Sequence, residues 1–138
     1  MELDKSLDRI LERTDAELAK HFYDTVLANH DDIAAFFDGV DMWYQSAILT
    51  IGLQTVVRYY RFRGKMQRRF LVALGHLHYT LRIPKSLYPK FIDSLVASIK
   101  MFSEEDWNEE VEQQWREALD LGVDTMFEGY VEELPIVD

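Results

Sequence analysis

The residues that interrupt helices are scarce in this chain, and that scarcity constrains the fold more than any other feature. Proline occurs three times in 138 residues, at positions 84, 89 and 135, and glycine six times. A proline inside a helix removes a hydrogen bond and clashes with the preceding turn. The first 83 residues escape that penalty, and long helices are expected there. Apolar residues recur at helical spacing: Leu3, Leu7, Ile10 and Leu11 share one face of a first helix. No convincing segment alternates with period two. The reading is an all-α chain of about six main helices, forming a single domain over residues 1–138.

Boundary signals divide the helices. Thr14-Asp15-Ala16-Glu17 has the form of a capping box, in which the Thr14 hydroxyl accepts from an early backbone N–H while Glu17 reaches back. The second helix then runs to about Phe37. Asp38 to Asp41 is a turn, and Asp41 is placed to cap a third helix that continues to about Arg61. Gly64 ends it. A fourth helix carries His76 and His78, and Ser86 with Pro89 marks the start of a fifth, through Met101. Ser103-Glu104-Glu105-Asp106 is expected to open a last helix, because acids favour the positive end of a helix dipole. That helix is expected to carry Trp107, Val111, Trp115, Leu119, Met126 and Tyr130 and to end near Pro135.

Composition removes several chemistries. With no cysteine there is no thiolate catalysis, zinc–cysteine site or iron–sulfur cluster. A net charge of −10 argues against nucleic acid as a partner. No segment is apolar for long enough to span a bilayer, so no membrane partner is expected. The charged N-terminus has no signal-peptide core, and a cytoplasmic location is expected. One stretch runs against the acidic balance. From Arg58 to Arg69 there are six basic residues and no acid, which suits a solvated corner, a docking surface or partners for an anionic cofactor edge.

The most informative residue is His78. At about 100° per residue, Leu74 lies ~40° from it, Leu71 ~20° and Leu81 ~60°, whereas His76 lies ~160° away. His78 therefore points inward with the leucines, and His76 is expected to face water. A neutral imidazole on an apolar wall, with a tyrosine ten residues downstream, suits the axial ligand of a haem iron. The alternative is a core histidine bonded to the backbone.

The stretch His21-Phe22-Tyr23-Asp24-Thr25-Val26-Leu27-Ala28-Asn29-His30-Asp31-Asp32-Ile33-Ala34-Ala35-Phe36-Phe37 resembles the second and third helices of bacterial globins. Gln45 to Leu49 resembles their distal segment. His78, with Leu74 four before it, Tyr88 ten after it and Trp115 in the last helix, completes the resemblance across nearly the whole chain. The Ile83-Pro84 corner is similar to the globin domains of bacterial sensors, and the Phe-Tyr pair to stand-alone bacterial haemoglobins. This implies a globin fold around haem b, with His78 as proximal iron ligand and Phe37 against the porphyrin. Tyr23 and Gln45 would project into the distal gas pocket beside Leu49, with Leu74, Ile83, Tyr88 and Phe91 also lining the haem. Phe36 competes with Phe37 for its place, and Tyr44 competes with Gln45.

The function implied is reversible binding of O2, CO or NO for sensing or delivery. A polar donor beside bound O2 would retain it longer, and apolar walls would slow oxidation. An NO dioxygenase served by a separate reductase is a second reading, and a haemless signalling module a third. A homodimer through the last two helices, or an effector acting in trans, would carry a sensor's output. Glu128 and Glu132 each lie two residues from Tyr130, about 200° round a helix. Neither is expected to reach the proximal histidine through Tyr88, which weakens an enzyme reading.

Overall fold

The computed structural model describes residues 2–14 and 17–134. The helices are α1 (Leu3–Thr14), α2 (Glu17–Asn29), α3 (Asp31–Ala34), α4 (Met42–Phe62), α5 (Lys65–Thr80), α6 (Tyr88–Ser103) and α7 (Glu109–Phe127). Short 3-10 turns extend α3 through Phe37, precede α6 at Lys85–Leu87 and follow it at Glu104–Asp106. No strand occurs among the described residues. Six of the helices are long, and α3 has four residues.

Leu3, Leu7 and Ile10 are buried against Leu18, Phe22, Val26 and Trp115, so the inward stripes of α1, α2 and α7 share one core. Asp41 caps α4, its Oδ1 accepting from the backbone N–H groups of Trp43 and Tyr44 at 3.0 and 3.3 Å. Arg63, left-handed at φ 53°, closes the same helix with an N–H bond to Tyr59 O. The close approach of α5 to α7 and to the turn after it depends on glycine. A Cβ on Gly75 would lie 1.7 Å from Met126 O, and one on Gly129 would lie 2.1 Å from Val72 O.

The structure corrects the sequence-based boundaries at several points. The segment from 17 to 37 is not one helix: His30 is extended at φ −135°, and Asp31 and Asp32 begin α3, where the helix dipole favours them. A straight helix would carry Phe37 about 21 Å from Tyr23 along the axis. The break folds it back, with the two rings 5.3 Å apart. Ser103 does not open the last helix, because its hydroxyl donates to Ile99 O in the helix before. Asn108 is the cap, with Oδ1 accepting from Val111 N–H at 2.8 Å, and Trp107 precedes the helix. α7 stops at Phe127, so Tyr130 lies in the turn beyond it. The expected capping box includes residues 15 and 16, which lie outside the described residues. Thr14 itself closes α1, its hydroxyl donating to Ile10 O.

Candidate functional site

The corner after α5 positions the site. Ile83 N–H bonds back to His78 O at 3.1 Å and Arg82 N–H to Tyr79 O at 3.0 Å, with Arg82 left-handed at φ 62°. This is a Schellman closure, and it turns Ile83 back over the last helical turn, beside His78.

His78 faces a cavity, and a hydrogen-bond chain behind it fixes its proton. Tyr130 Oη donates to Ile83 O at 2.9 Å. Its one proton being committed, Tyr130 accepts from Tyr88 Oη at 2.8 Å. Tyr88 has then spent its own proton and accepts from His78 Nδ1 at 2.8 Å. Nδ1 therefore carries the hydrogen, and the lone pair on Nε2 is free to bind a metal. Burial pushes the His78 pKa down to about 4, so the ring is neutral near pH 7. Burial likewise raises both tyrosines above their ordinary value, so both stay protonated. Glu128 takes no part: it pairs with Arg68.

The polar group of another wall comes from α2 and α4. Gln45 Nε2 donates to Tyr23 Oη at 3.0 Å. Tyr23 makes no other side-chain bond among the described residues, so its own proton is available to the cavity. Burial holds its pKa up at about 12, which keeps that proton in place.

All nine residues singled out from sequence line this one cavity: Tyr23, Phe37, Gln45, Leu49, Leu74, His78, Ile83, Tyr88 and Phe91. Phe36 lines it as well, whereas Tyr44 is 61% exposed and does not. His76 departs from expectation. It does not face water but is half-buried, with Nδ1 3.2 Å from Gly129 O, because the turn after α7 closes over that side of α5. Sequence reasoning missed Ile48, Gly52 and Val56 on α4, although their spacing from Gln45 and Leu49 places them on the same face. It also missed Leu119, Gly122, Val123 and Met126 of α7. Nothing local marks those, because their role depends on which helix α7 packs against.

Residues 20–126 match the globin family model. The chain belongs to the globin family. No curated protein and no solved structure is significantly similar to it. The match spans every residue that lines the cavity, and Tyr130, behind His78, lies four residues beyond it.

The residues present in this globin fit a haem, the group typical of the family. The cavity has a volume of about 180 Å³ and is open at its mouth. Its walls are almost wholly apolar. A Cβ added to Gly52 would meet nothing within 4 Å, so that stretch of α4 faces open space. The one histidine in the lining presents an unpartnered Nε2, the donor a haem iron takes. Among the described residues no cluster of His, Cys, Asp and Glu could hold a metal ion by itself.

Proposed function

We propose that this globin holds haem b in the α4–α5 cavity and binds a diatomic gas reversibly, for sensing or delivery. The observation that carries the reading is the pairing of two groups in an otherwise apolar cavity. One is the free Nε2 of His78 on α5; the other is the uncommitted hydroxyl proton of Tyr23, from α2. Haem, when bound through His78, supplies an iron with one position open to a gas.

The chain's own residues supply the rest. Tyr88 holds the His78 ring in the tautomer that leaves Nε2 free. Phe37, Leu49 and Ile83 keep water from the cavity, and Leu74 and Phe91 extend its apolar walls. Tyr23 would donate a hydrogen bond to a polar gas ligand, and Gln45 holds that hydroxyl in place. Such a bond, worth about 1–3 kcal/mol, retains O2 roughly 5- to 150-fold longer. The proximal chain ends on a neutral carbonyl, so His78 keeps its Nδ1 proton and gains no imidazolate character. That favours gas binding over electron-pushing enzyme chemistry.

Absorption spectra of the purified, haem-loaded protein test the proposal, in the ferrous state with and without O2 and CO. A Soret band, a five-coordinate ferrous form without gas and distinct gas-bound spectra are expected. Failure to take up haem refutes the reading. A six-coordinate low-spin ferrous form without gas contradicts the open position.

A further inference from the structure

Charge is distributed very unevenly along this chain. Nine of its fifteen basic residues and none of its twenty-five acids lie between Met42 and Ile92. Within that span Arg61 pairs with Glu2 and Asp4, Arg68 with Glu128, and Lys90 with Asp32. Lys85 rests over the rings of Phe127 and Tyr130. Among the described residues Arg58, Arg63, Lys65, Arg69 and Arg82 have no carboxylate within ion-pair distance. A molecule that is acidic elsewhere thus presents a basic side built from α4 and α5.

That side is also apolar. On α4, Tyr44, Ile51 and Phe62 are 61%, 53% and 61% exposed, and on α5 Met66 and Leu77 are 69% and 51% exposed. Phe70 is exposed on the same line of α5, and Leu81, just past its end, is exposed too and does not point inward with His78 as its helical phase predicts. At about 100° per residue each set forms one stripe, set roughly a quarter turn from the cavity-lining residues of its own helix. The core-facing side of each helix lies a quarter turn the other way. Both helices line the cavity and are joined by the two-residue corner at Arg63 and Gly64, so each stripe borders the cavity on its own helix. Arg58 and Arg69 lie on the outer edges of the stripes, and Arg63 and Lys65 at the corner that joins the helices.

We propose that the α4–α5 face docks on an anionic lipid surface. Exposed aromatic and aliphatic side chains bordered by arginine and lysine, with no acid among them, match the needs of interfacial binding: apolar area to bury and cations for the headgroups. A second copy fits poorly, since a two-fold contact through this face sets like charges against one another. No described helix is long and apolar enough to cross a membrane, so the contact is with the surface. The sequence-based expectation of no membrane partner addressed spanning segments, and side-chain exposure was invisible to it. This proposal does not rest on haem.

Co-sedimentation of the full chain, with and without added haem, tests it against vesicles of phosphatidylcholine alone and of phosphatidylcholine with phosphatidylglycerol. Binding to the anionic vesicles that weakens with salt, and little binding to the neutral ones, is expected. Each arginine at the surface contributes about fivefold. Arg58→Glu with Arg69→Glu should therefore lower the partition coefficient by at least ~25-fold. Phe62→Asp with Met66→Asp should abolish binding, while circular dichroism shows both variants folded. No binding to anionic vesicles at low salt overturns the proposal, as does binding that ignores these substitutions. A dimer in light scattering that the same substitutions dissolve reassigns the face to a second copy and overturns it too.

Discussion

Replacing Tyr130 with phenylalanine should change the position of a proton two residues further along the hydrogen-bond chain. In the native arrangement three bonds run in one direction, from His78 Nδ1 to Tyr88, from Tyr88 to Tyr130 and from Tyr130 to Ile83 O. Moving the imidazole proton to Nε2 reverses the first bond and eliminates the second. It also leaves an N–H facing an apolar cavity. The loss of one bond with one buried donor unsatisfied costs about 1–3 kcal/mol, which favours the Nδ1–H form by roughly 5- to 150-fold. Without the Tyr130 hydroxyl each tautomer keeps one bond and leaves one donor unpaired, and the preference falls to about 1:1. Because His78 is neutral near pH 7, nitrogen-15 shifts of the His78 ring in the haem-free protein report the ratio directly. Tyr130→Phe should convert a nearly pure Nδ1–H signal into a mixture and halve the fraction of protein ready to bind iron. A variant that keeps the pure Nδ1–H form refutes the directional chain.

Two further outcomes follow from the same geometry. Tyr23→Phe should raise the O2 dissociation rate of the haem-loaded protein about tenfold or more and change CO dissociation less, measured by stopped flow; equal effects on the two gases mean that Tyr23 acts through shape. The His78 pKa is depressed from 6.5 to about 4 by burial, so between those values the unfolded chain binds a proton that the folded one does not. The stability of the haem-free protein should therefore fall as pH drops from 6.5 to 4, by about 3 kcal/mol in urea titrations, and His78→Gln should remove that component.

The helices and the inward direction of His78 were legible in local spacing, whereas the other cavity residues were implied by the resemblance to globins. His78 shares a stripe with Leu71 and Leu74, and the spacing of four between Gln45 and Leu49 favoured Gln45 over Tyr44 once the resemblance had marked that segment. What spacing missed depends on contacts between distant segments. His76 has the phase of a solvent-facing residue, but the turn at Gly129 covers it. Tyr130 has the spacing of a helical residue, but α7 has already ended and the side chain swings to Ile83. The break at His30 has no proline or glycine to mark it, and helical spacing ran through it, although the resemblance to two globin helices implied one and Asp31 and Asp32 open α3 there. The basic stretch from Arg58 to Arg69 was visible, but which of its side chains remain unpaired depends on Glu2, Asp4 and Glu128 from distant segments.

The central claim is that His78 Nε2 is the iron ligand. Haem titration followed at the Soret band, in parallel for the native chain, His78→Ala and His76→Ala, tests it most directly. The native chain and His76→Ala should bind haem with the same spectrum, and His78→Ala should lose it or hold it loosely. Loss of the Soret band in His76→Ala, with His78→Ala unaffected, would contradict the account.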